Sequence, residues 1–196
     1  MFSRAPHAGR VKRRLVPQLG ASGAARLQLR MTRHALRTAA AARCGPVELH
    51  LTERHGLFKK IKLQKGADLG ERMQRALSRA LRRHRGAILI GADCPALRPE
   101  DLRRAARLLA GGCDVVLGPA QDGGYVLLGA RRVSPRLFEG IPWGTSGVYA
   151  ATLKALDASG YRWRALRPLW DVDRPQDVER LRSLRSFSML RRYARQ

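Results

Sequence analysis

The feature that most constrains this chain is the alternation of helical and strand patterns along its length. Between residues 68 and 84, leucine or methionine recurs every fourth residue, which places these side chains on one face of a helix. The apolar run at 87–90 that follows is typical of a buried central strand. A second unit of the same kind then follows. This alternation predicts an α/β domain with a largely parallel sheet.

Turn and capping signals divide the chain into predicted elements. Predicted helices cover 20–43 and 68 to about 84, and three more begin near Pro99, Thr145 and Pro175. Predicted strands are 47–51, 87–90, 114–117, 125–128 and 161–166. The sequence contains no internal repeat or linker, so we predict one domain over residues 1–196, with a tail that frays from about residue 186.

The charge balance points to anionic partners. Lys plus Arg is 39 and Asp plus Glu is 15, which gives a net charge of +24. A field this positive attracts polyanions, although arginines scattered through every segment are also typical of solvated helix surfaces. A basic nucleic-acid-binding protein is therefore one alternative. Against it, the aromatic content is only 6% and no nucleic-acid-binding motif is recognisable.

The cysteines and the apolar runs favour a cytoplasmic protein. Cys44, Cys94 and Cys113 lack the spacing of a disulfide framework or a zinc site. No stretch approaches the roughly 18 apolar residues that a membrane span needs, and the first residues lack the apolar core of a secretory signal. Cys94 has no neighbouring base in the sequence, so we expect a buried thiol and not a nucleophile.

A basic loop precedes the first predicted helix. Gly9 is followed by a run that contains Lys12, Arg13 and Arg14. Such a loop can place backbone N–H groups and several cations along a diphosphate. A disordered basic terminus is the alternative interpretation.

Carboxylates form the second kind of candidate site. Asp93 follows the predicted strand at 87–90, and open α/β sheets bind ligands beyond such strand ends. Asp171 and Asp173 alternate along an extended segment, so both could share one cation. The alternatives are that Asp93 fixes a turn and that Asp173 caps the helix at Pro175.

The tripeptide Asp122-Gly123-Gly124 predicts a hairpin turn between two strands. Its glycines would also let a ligand approach the backbone closely. Taken together, three carboxylate sites and one basic loop favour metal-assisted handling of a nucleotide diphosphate.

Six segments form an ordered set over nearly the whole chain. They are Ala5-Pro6-x-x-Gly9-x-Val11-Lys12-x-Arg14-Leu15, Gln64-x-Gly66-x-x-Leu69-Gly70-x-Arg72-Met73, Ile90-Gly91-x-Asp93-Cys94-Pro95, Gly118-Pro119-Ala120-x-Asp122-Gly123-Gly124-Tyr125, Trp143-x-Thr145 and Asp171-Val172-Asp173-x-Pro175-x-Asp177. The set resembles bacterial glycosyltransferase-like proteins of the nucleotide-diphospho-sugar transferase (GT-A) fold, of the arsenosugar-biosynthesis type. More distantly it is similar to the guanylyltransferases of molybdenum-cofactor synthesis and to phospholactate guanylyltransferases.

The resemblance implies a three-layer α/β/α sandwich around a mostly parallel, mixed sheet. It implies transfer of a sugar from a nucleoside-diphosphate sugar to a small acceptor, or alternatively nucleotidyl transfer from an NTP to a phosphorylated small molecule. The residues implied to bind nucleotide and phosphate are Gly9, Lys12, Arg13, Arg14, Gly123 and Gly124. Those implied for catalysis are Asp93 and Asp122, and those for a Mg²⁺ or Mn²⁺ ion are Asp93 and Asp173. Those implied to face the substrate are Gln64, Asp68, Arg72, Trp143 and Thr145.

The chain departs from that family at two places. Arg13 stands where the family usually has threonine, which removes a hydroxyl that could contact phosphate or metal. The apolar run before Ala5-Pro6 is reduced to Met1-Phe2-Ser3. We therefore expect a truncated first strand, which means either a start downstream of the natural one or a weakened central strand and nucleobase pocket.

Overall fold

A computed structural model describes residues 1–184. Its strands are β1 (Phe2–Ser3), β2 (His50–Leu51), β3 (Lys62–Leu63), β4 (Ala87–Ile90), β5 (Val115–Pro119), β6 (Tyr125–Ala130) and β7 (Trp163–Ala165). Its helices are α1 (Val16–Ala42), α2 (Leu69–Leu81), α3 (Pro99–Ala110), α4 (Val148–Ala158) and α5 (Pro175–Arg182). The predicted fraying tail lies outside the described residues.

The strands follow one another across a mixed sheet in the order β3-β2-β1-β4-β6-β5-β7. Strands β1, β2 and β3 pair in parallel, and β7 pairs in parallel with β5. Strand β6 runs antiparallel between β4 and β5. A parallel bridge from Phe2 to Gly91 joins the two groups of strands. The α/β class and the mostly parallel, mixed sheet predicted from the sequence are confirmed.

Helices cover both faces of this sheet. Successive side chains of a strand point to opposite faces, so apolar side chains emerge on both sides and pack against helices there. Ile90 of β4 packs with α1 and α3 on one face. Its neighbour Leu89 packs with α2 and α4 on the other face. The predicted three-layer sandwich follows from this division of the core. In the described part of the chain, no helix combines the length and apolar character needed to cross a membrane.

Several element boundaries differ from the prediction for local reasons. Helix α1 begins at Val16, four residues before the predicted start at Gly20, and Gly20 interrupts its helical geometry with a φ of 68°. Strand β2 covers two of the five residues predicted for it, and β3 was not predicted, because two residues show no periodicity. Helix α4 begins at Val148, so Thr145 closes the preceding turn and does not cap the helix.

The first strand is short, as expected, and a cavity lies in line with it. The cavity has a volume of about 730 Å³ and sits at the edge of the sheet where β1 and β4 begin. Its walls come from both helical layers and include Leu77 and Leu109, and Ile88 of β4 faces it from within the sheet. This edge is opposite to the one that carries the predicted site residues.

Candidate functional site

The candidate site lies where β1, β4 and β5 end. Along the sheet, the chain passes from β1 to β2 on one side, whereas β4 lies on the other side of β1. Loops that leave neighbouring strands in opposite directions open a crevice, and open α/β sheets bind ligands at such a point. The loops that follow β1, β4, β5 and β7 all meet here, and they carry the basic run and the predicted carboxylates.

Lys12 turns inward from the basic loop. Its Nζ lies 3.1 Å from Asp93 Oδ2 and donates to the Val172 carbonyl at 2.5 Å. The Lys12 side chain is only 5% exposed. Leu15 and Val172 belong to one buried apolar cluster, which holds the basic loop against the segment that precedes α5. Two distant parts of the chain are thereby brought together around Asp93.

Asp93 is only partly satisfied by its surroundings. Its backbone carbonyl accepts a hydrogen bond from the Val172 N–H at 2.9 Å, which fixes the loop after β4. Oδ2 faces Lys12, but the buried Oδ1 has no hydrogen-bond partner among the described residues. A buried oxygen of an ionised carboxylate is costly without a donor or a cation. Asp93 therefore has one carboxylate oxygen without a donor among the described residues.

The resemblance named Asp93 and Asp173 for the metal, and the spacing of Asp171 with Asp173 suggested a shared cation. Burial and the nearby charges of Asp122 and Asp93 raise the pKa of Asp171 to about 6, and the Lys12 ammonium opposes this rise. The charges of Asp93 and Asp122 thus act on Asp171, and we call these three residues the aspartate cluster; Lys12 pairs with its member Asp93. The signal in the sequence was the alternation of Asp171 with Asp173, which marked the pair but not which of the two interacts with Asp93.

The turn that carries Asp122 is built against α4. Asp122 Oδ1 accepts the Gly124 N–H at 2.9 Å, and the Gly123 carbonyl accepts the Tyr149 N–H at 2.8 Å. Gly123 has a φ of 90°, and a Cβ on it would lie 2.1 Å from the Ser146 carbonyl oxygen. The predicted hairpin is present, and its glycines are used for close packing inside the chain. Their predicted nucleotide contacts stay a prediction.

Asp173 lies beside the aspartate cluster and has a different partner. Its carboxylate forms an ion pair with the Arg14 guanidinium, and both side chains are substantially exposed. The Asp177 carboxylate accepts the N–H groups of Asp173 and Arg174 at 3.0 and 2.7 Å, which begins helix α5. Arg13 is exposed on the same loop as Arg14. A metal held by Asp93 together with Asp173 stays a prediction.

Three residues predicted to face the substrate make local structural bonds. The Gln64 amide donates to the carbonyls of Ser3 and His50 at 3.0 and 3.1 Å, which ties the ends of β1 and β2 together. Asp68 caps α2 by accepting the Glu71 N–H at 2.8 Å, and Arg72 Nε donates to the Gly66 carbonyl at 3.0 Å. These contacts shape the rim of the crevice, and a substrate contact for them remains a prediction.

Trp143 and Thr145 form the other side of that rim. The Trp143 ring packs on Gly70 of α2, where a Cβ would meet its Nε1 at 2.6 Å. It also meets the Tyr125 ring edge-on, with centroids 6.4 Å apart. Thr145 Oγ1 donates to the Pro142 carbonyl at 2.8 Å. The tryptophan therefore links α2 to the segment before α4.

The aspartate cluster has the chemistry of a site for a hard divalent cation. Carboxylate oxygens are the ligands that Mg²⁺ and Mn²⁺ prefer. Burial, and then the charges of Asp122 and Asp93, raise the pKa of Asp171, and Asp93 Oδ1 lacks a hydrogen-bond partner among the described residues. Within residues 1–184, however, no three His, Cys, Asp or Glu side chains form a ready-made metal site. The carboxylate oxygens of Asp93 and Asp171 are suitable ligands for such an ion. In this structure, Lys12 is the cation that contacts Asp93.

The family and the relatives of the chain agree with this architecture. The sequence model of a family described as "uncharacterized protein conserved in bacteria" (DUF2064) matches residues 15–145. No curated protein matches the chain. A presumed nucleotide-diphospho-sugar transferase from Desulfovibrio desulfuricans G20 is 27% identical, with a TM-score of 0.82 over 97% of this chain and 92% of that chain.

Two further solved structures share the fold at lower identity. CMP:2-keto-3-deoxy-manno-octonic acid synthetase, complexed with CTP, is 11% identical and has a TM-score of 0.59 over 97% of both chains. A nucleotidyl transferase from Methanothermobacter is 16% identical and has a TM-score of 0.52 over 97% of both chains. The nucleotide-diphospho-sugar transferase fold is therefore shown.

Proposed function

This chain belongs to the bacterial family DUF2064, and we propose that it transfers a sugar from a nucleoside-diphosphate sugar to a small acceptor, assisted by a divalent cation. The observation that carries the proposal is the meeting of Lys12 with the aspartate cluster at the crevice between β1 and β4. The similarity to the Desulfovibrio protein over nearly the whole chain supports the same class of substrate. We include in this proposal that the chain is similar in function to arsenosugar-biosynthesis glycosyltransferases.

Each group in the crevice has a distinct part in such a reaction. The cations of Lys12, Arg13 and Arg14 neutralise the diphosphate, because charge-assisted contacts to phosphate are the strong ones. Asp93 and Asp171 would hold the divalent cation, and such an ion would stabilise negative charge on the leaving phosphate. The bond from the anomeric carbon to the diphosphate oxygen breaks, and its electron pair leaves with the nucleoside diphosphate. The acceptor oxygen bonds to that carbon and gives up its proton.

Asp122 is the candidate to receive the proton of the acceptor. Asp122 is an exposed residue, and its Oδ1 accepts a hydrogen bond from the Gly124 N–H. The turn that fixes its backbone is packed against α4, so the carboxylate is held in place. A carboxylate that lies within hydrogen-bond reach of the acceptor can act as a general base.

One observation favours a second candidate, a nucleotidyltransferase. Arg13 and Arg14 are exposed on the loop directly after Lys12, so this loop carries three consecutive cations, a number that suits a triphosphate. In that reaction a phosphate oxygen of the acceptor bonds to the α-phosphorus of an NTP, and pyrophosphate leaves. Release of pyrophosphate from an NTP identifies this activity, whereas release of a nucleoside diphosphate from a donor sugar identifies glycosyl transfer.

The test is a thermal-unfolding screen with UDP, GDP, CDP, dTDP and their sugar conjugates, in Mn²⁺ and in chelator. A true donor stabilises the folded protein by mass action, by about 2.7 kcal/mol at a hundredfold excess over its Kd. Asp93→Asn keeps the size of the side chain and removes its charge, so the stabilisation by nucleotide should lose its dependence on Mn²⁺. Asp157→Asn is the matched control, because Asp157 accepts the Trp163 indole N–H far from the crevice. A folded Asp93→Asn variant with unchanged metal dependence contradicts the cation site.

A further inference from the structure

We propose that Lys12 and the divalent cation exchange at Asp93, so that arrival of the cation frees the Lys12 side chain to reach the diphosphate. This inference rests on the proposed function. Its tests are binding measurements and require no turnover. It assigns two successive partners to one lysine: the aspartate cluster in the structure described above, and a phosphate once the cation is bound.

Lys12 is buried and paired within the chain. Its Nζ contacts Asp93 Oδ2 at 3.1 Å and the Val172 carbonyl at 2.5 Å, and the side chain is 5% exposed. These contacts use two of the three N–H donors of the ammonium, and the burial of the side chain keeps the third from an incoming phosphate. Lys12 must therefore move away from Asp93 to bind a diphosphate. Arg13 and Arg14 are exposed, and Arg14 is held by a surface ion pair with Asp173.

Lys12 is a poorer partner for the cluster than a divalent cation. Its ammonium forms an ion pair with one of the three aspartates, through Oδ2 of Asp93. Asp93 Oδ1 stays buried and without a hydrogen bond among the described residues. A cation with two charges can take oxygens from Asp93 and Asp171 together, which one ammonium at its present position does not do. We therefore expect that replacement of the Lys12 ammonium by a divalent cation at Asp93 lowers the free energy.

The backbone of Lys12 has an unusual conformation. Its φ of 48° and ψ of 41° are in the left-handed region, and in the described residues only Arg43 shares a positive φ among residues other than glycine. A residue with a β-carbon is held in this region at some cost by the contacts around it. The Lys12 carbonyl accepts the Leu15 N–H at 2.8 Å, and its side chain is held by Asp93 and Val172. Loss of the side-chain contacts would therefore remove part of what holds the loop between Gly9 and Lys12 in place.

The exchange predicts effects of opposite sign on two ligands. Without nucleotide, Lys12 competes with the cation, so removal of its charge should strengthen metal binding. With the cation bound, Lys12 contacts the diphosphate, so removal of its charge should weaken diphosphate binding. Removal of a lysine that binds phosphate away from Asp93 leaves metal binding unchanged, because the cation then has no competitor at that carboxylate.

The experiment is calorimetric titration of the full chain, first with Mn²⁺ alone and then with inorganic pyrophosphate at saturating Mn²⁺. For Lys12→Met, we expect Mn²⁺ to bind about tenfold tighter and pyrophosphate about tenfold weaker than for the wild type, because one charge-assisted contact is removed in each case. Arg14→Met is the matched control, since Arg14 pairs with Asp173 beside the cluster. It should weaken pyrophosphate binding and leave Mn²⁺ affinity within about twofold.

The outcomes separate this inference from the proposed function. Equal or weaker Mn²⁺ binding by a folded Lys12→Met variant, with metal-dependent pyrophosphate binding intact, overturns the exchange and leaves the proposed function standing. Absence of Mn²⁺ binding in both proteins overturns the exchange and the cation site together. If Lys12→Met does not fold, Lys12→Gln is used, because its amide can still donate to the Val172 carbonyl.

A measurement on the wild-type protein removes the dependence on variants. With ¹³C-labelled lysine, the ε-methylene signal of a buried, ion-paired Lys12 should differ from the signals of exposed lysines. Addition of Mg²⁺, which is diamagnetic, should shift that signal to the position of exposed lysines. A signal that stays unchanged at saturating Mg²⁺ overturns the exchange.

Discussion

The turn at residues 122–124 gives the sharpest test of the packing that aims Asp122. A Cβ on Gly123 would lie 2.1 Å from the Ser146 carbonyl oxygen, and the φ of Gly123 is +90°. A positive φ costs an L-residue about 1–2 kcal/mol, and atoms forced into a packed region add about 1–3 kcal/mol. Gly123→Ala should therefore lower the free energy of unfolding by about 2–5 kcal/mol, a large part of the 5–15 kcal/mol typical of a domain.

The assay is urea unfolding, with Gly144→Ala as the matched control. Gly144 has a φ of +84° and lies on the segment that Gly123 packs against, but nothing lies within 4 Å of the position that a Cβ on it would take. The control should therefore lose only the φ contribution, about 1–2 kcal/mol. The excess loss in Gly123→Ala measures the close approach to Ser146. Equal losses in the two variants would refute the view that this turn is fixed by its contact with Ser146.

Three further predictions test separate parts of the molecule. The pKa of Asp171 in the folded protein is about 6, above its ordinary 3.8. Between these values the folded state binds more protons than the unfolded state, so stability falls as pH rises. Asp171→Asn should flatten this fall in urea unfolding between pH 4 and 8, and an unchanged fall contradicts the prediction. Asp101→Asn should lower the free energy of unfolding by about 2–4 kcal/mol, because the buried carboxylate loses charge-assisted hydrogen bonds to Arg167 and to the backbone at the start of α3. Glu100 is exposed, so Glu100→Gln should lower it by under about 0.5 kcal/mol in the same assay. Gly70→Ala places a Cβ 2.6 Å from Trp143 Nε1, so it should cost about 1–3 kcal/mol and shift tryptophan fluorescence, and an unshifted spectrum contradicts the contact.

The parts of the fold that could be predicted from sequence are those with a long, regular pattern. The repeat at every fourth residue predicted α2, and Pro99 predicted the start of α3, where proline occupies the first helical position. Strand β3 was missed because Lys62–Leu63 is too short to show a period of two. It forms because β2 offers it a parallel edge, and such a tertiary partner leaves no mark in the local sequence.

The composition of the site was more predictable than its pairing. Lys12 and Asp93 were both predicted as site residues, for phosphate and for metal respectively, but the structure joins them to each other. The alternation of Asp171 and Asp173 placed both on one side of an extended chain. In the fold, Arg14 draws Asp173 to the outside, and Asp171 remains among the other acids. Period-two reasoning describes the local chain, whereas the partners of each carboxylate come from distant segments and leave no mark in the local pattern.

The charge of the whole molecule explains why a local acidic site matters for this chain. With 39 basic and 15 acidic residues, the field repels a free divalent cation over most of the surface and attracts anionic nucleotides. A cation that arrives together with a nucleotide diphosphate approaches as a net anion, so the field that repels the free ion favours the complex. At the crevice the complex meets the aspartate cluster, which can take the cation, and the loop of Lys12, Arg13 and Arg14, which can take the phosphates. The arrangement thus favours delivery of metal by the substrate, and the association rate of the metal–nucleotide complex should fall as ionic strength rises.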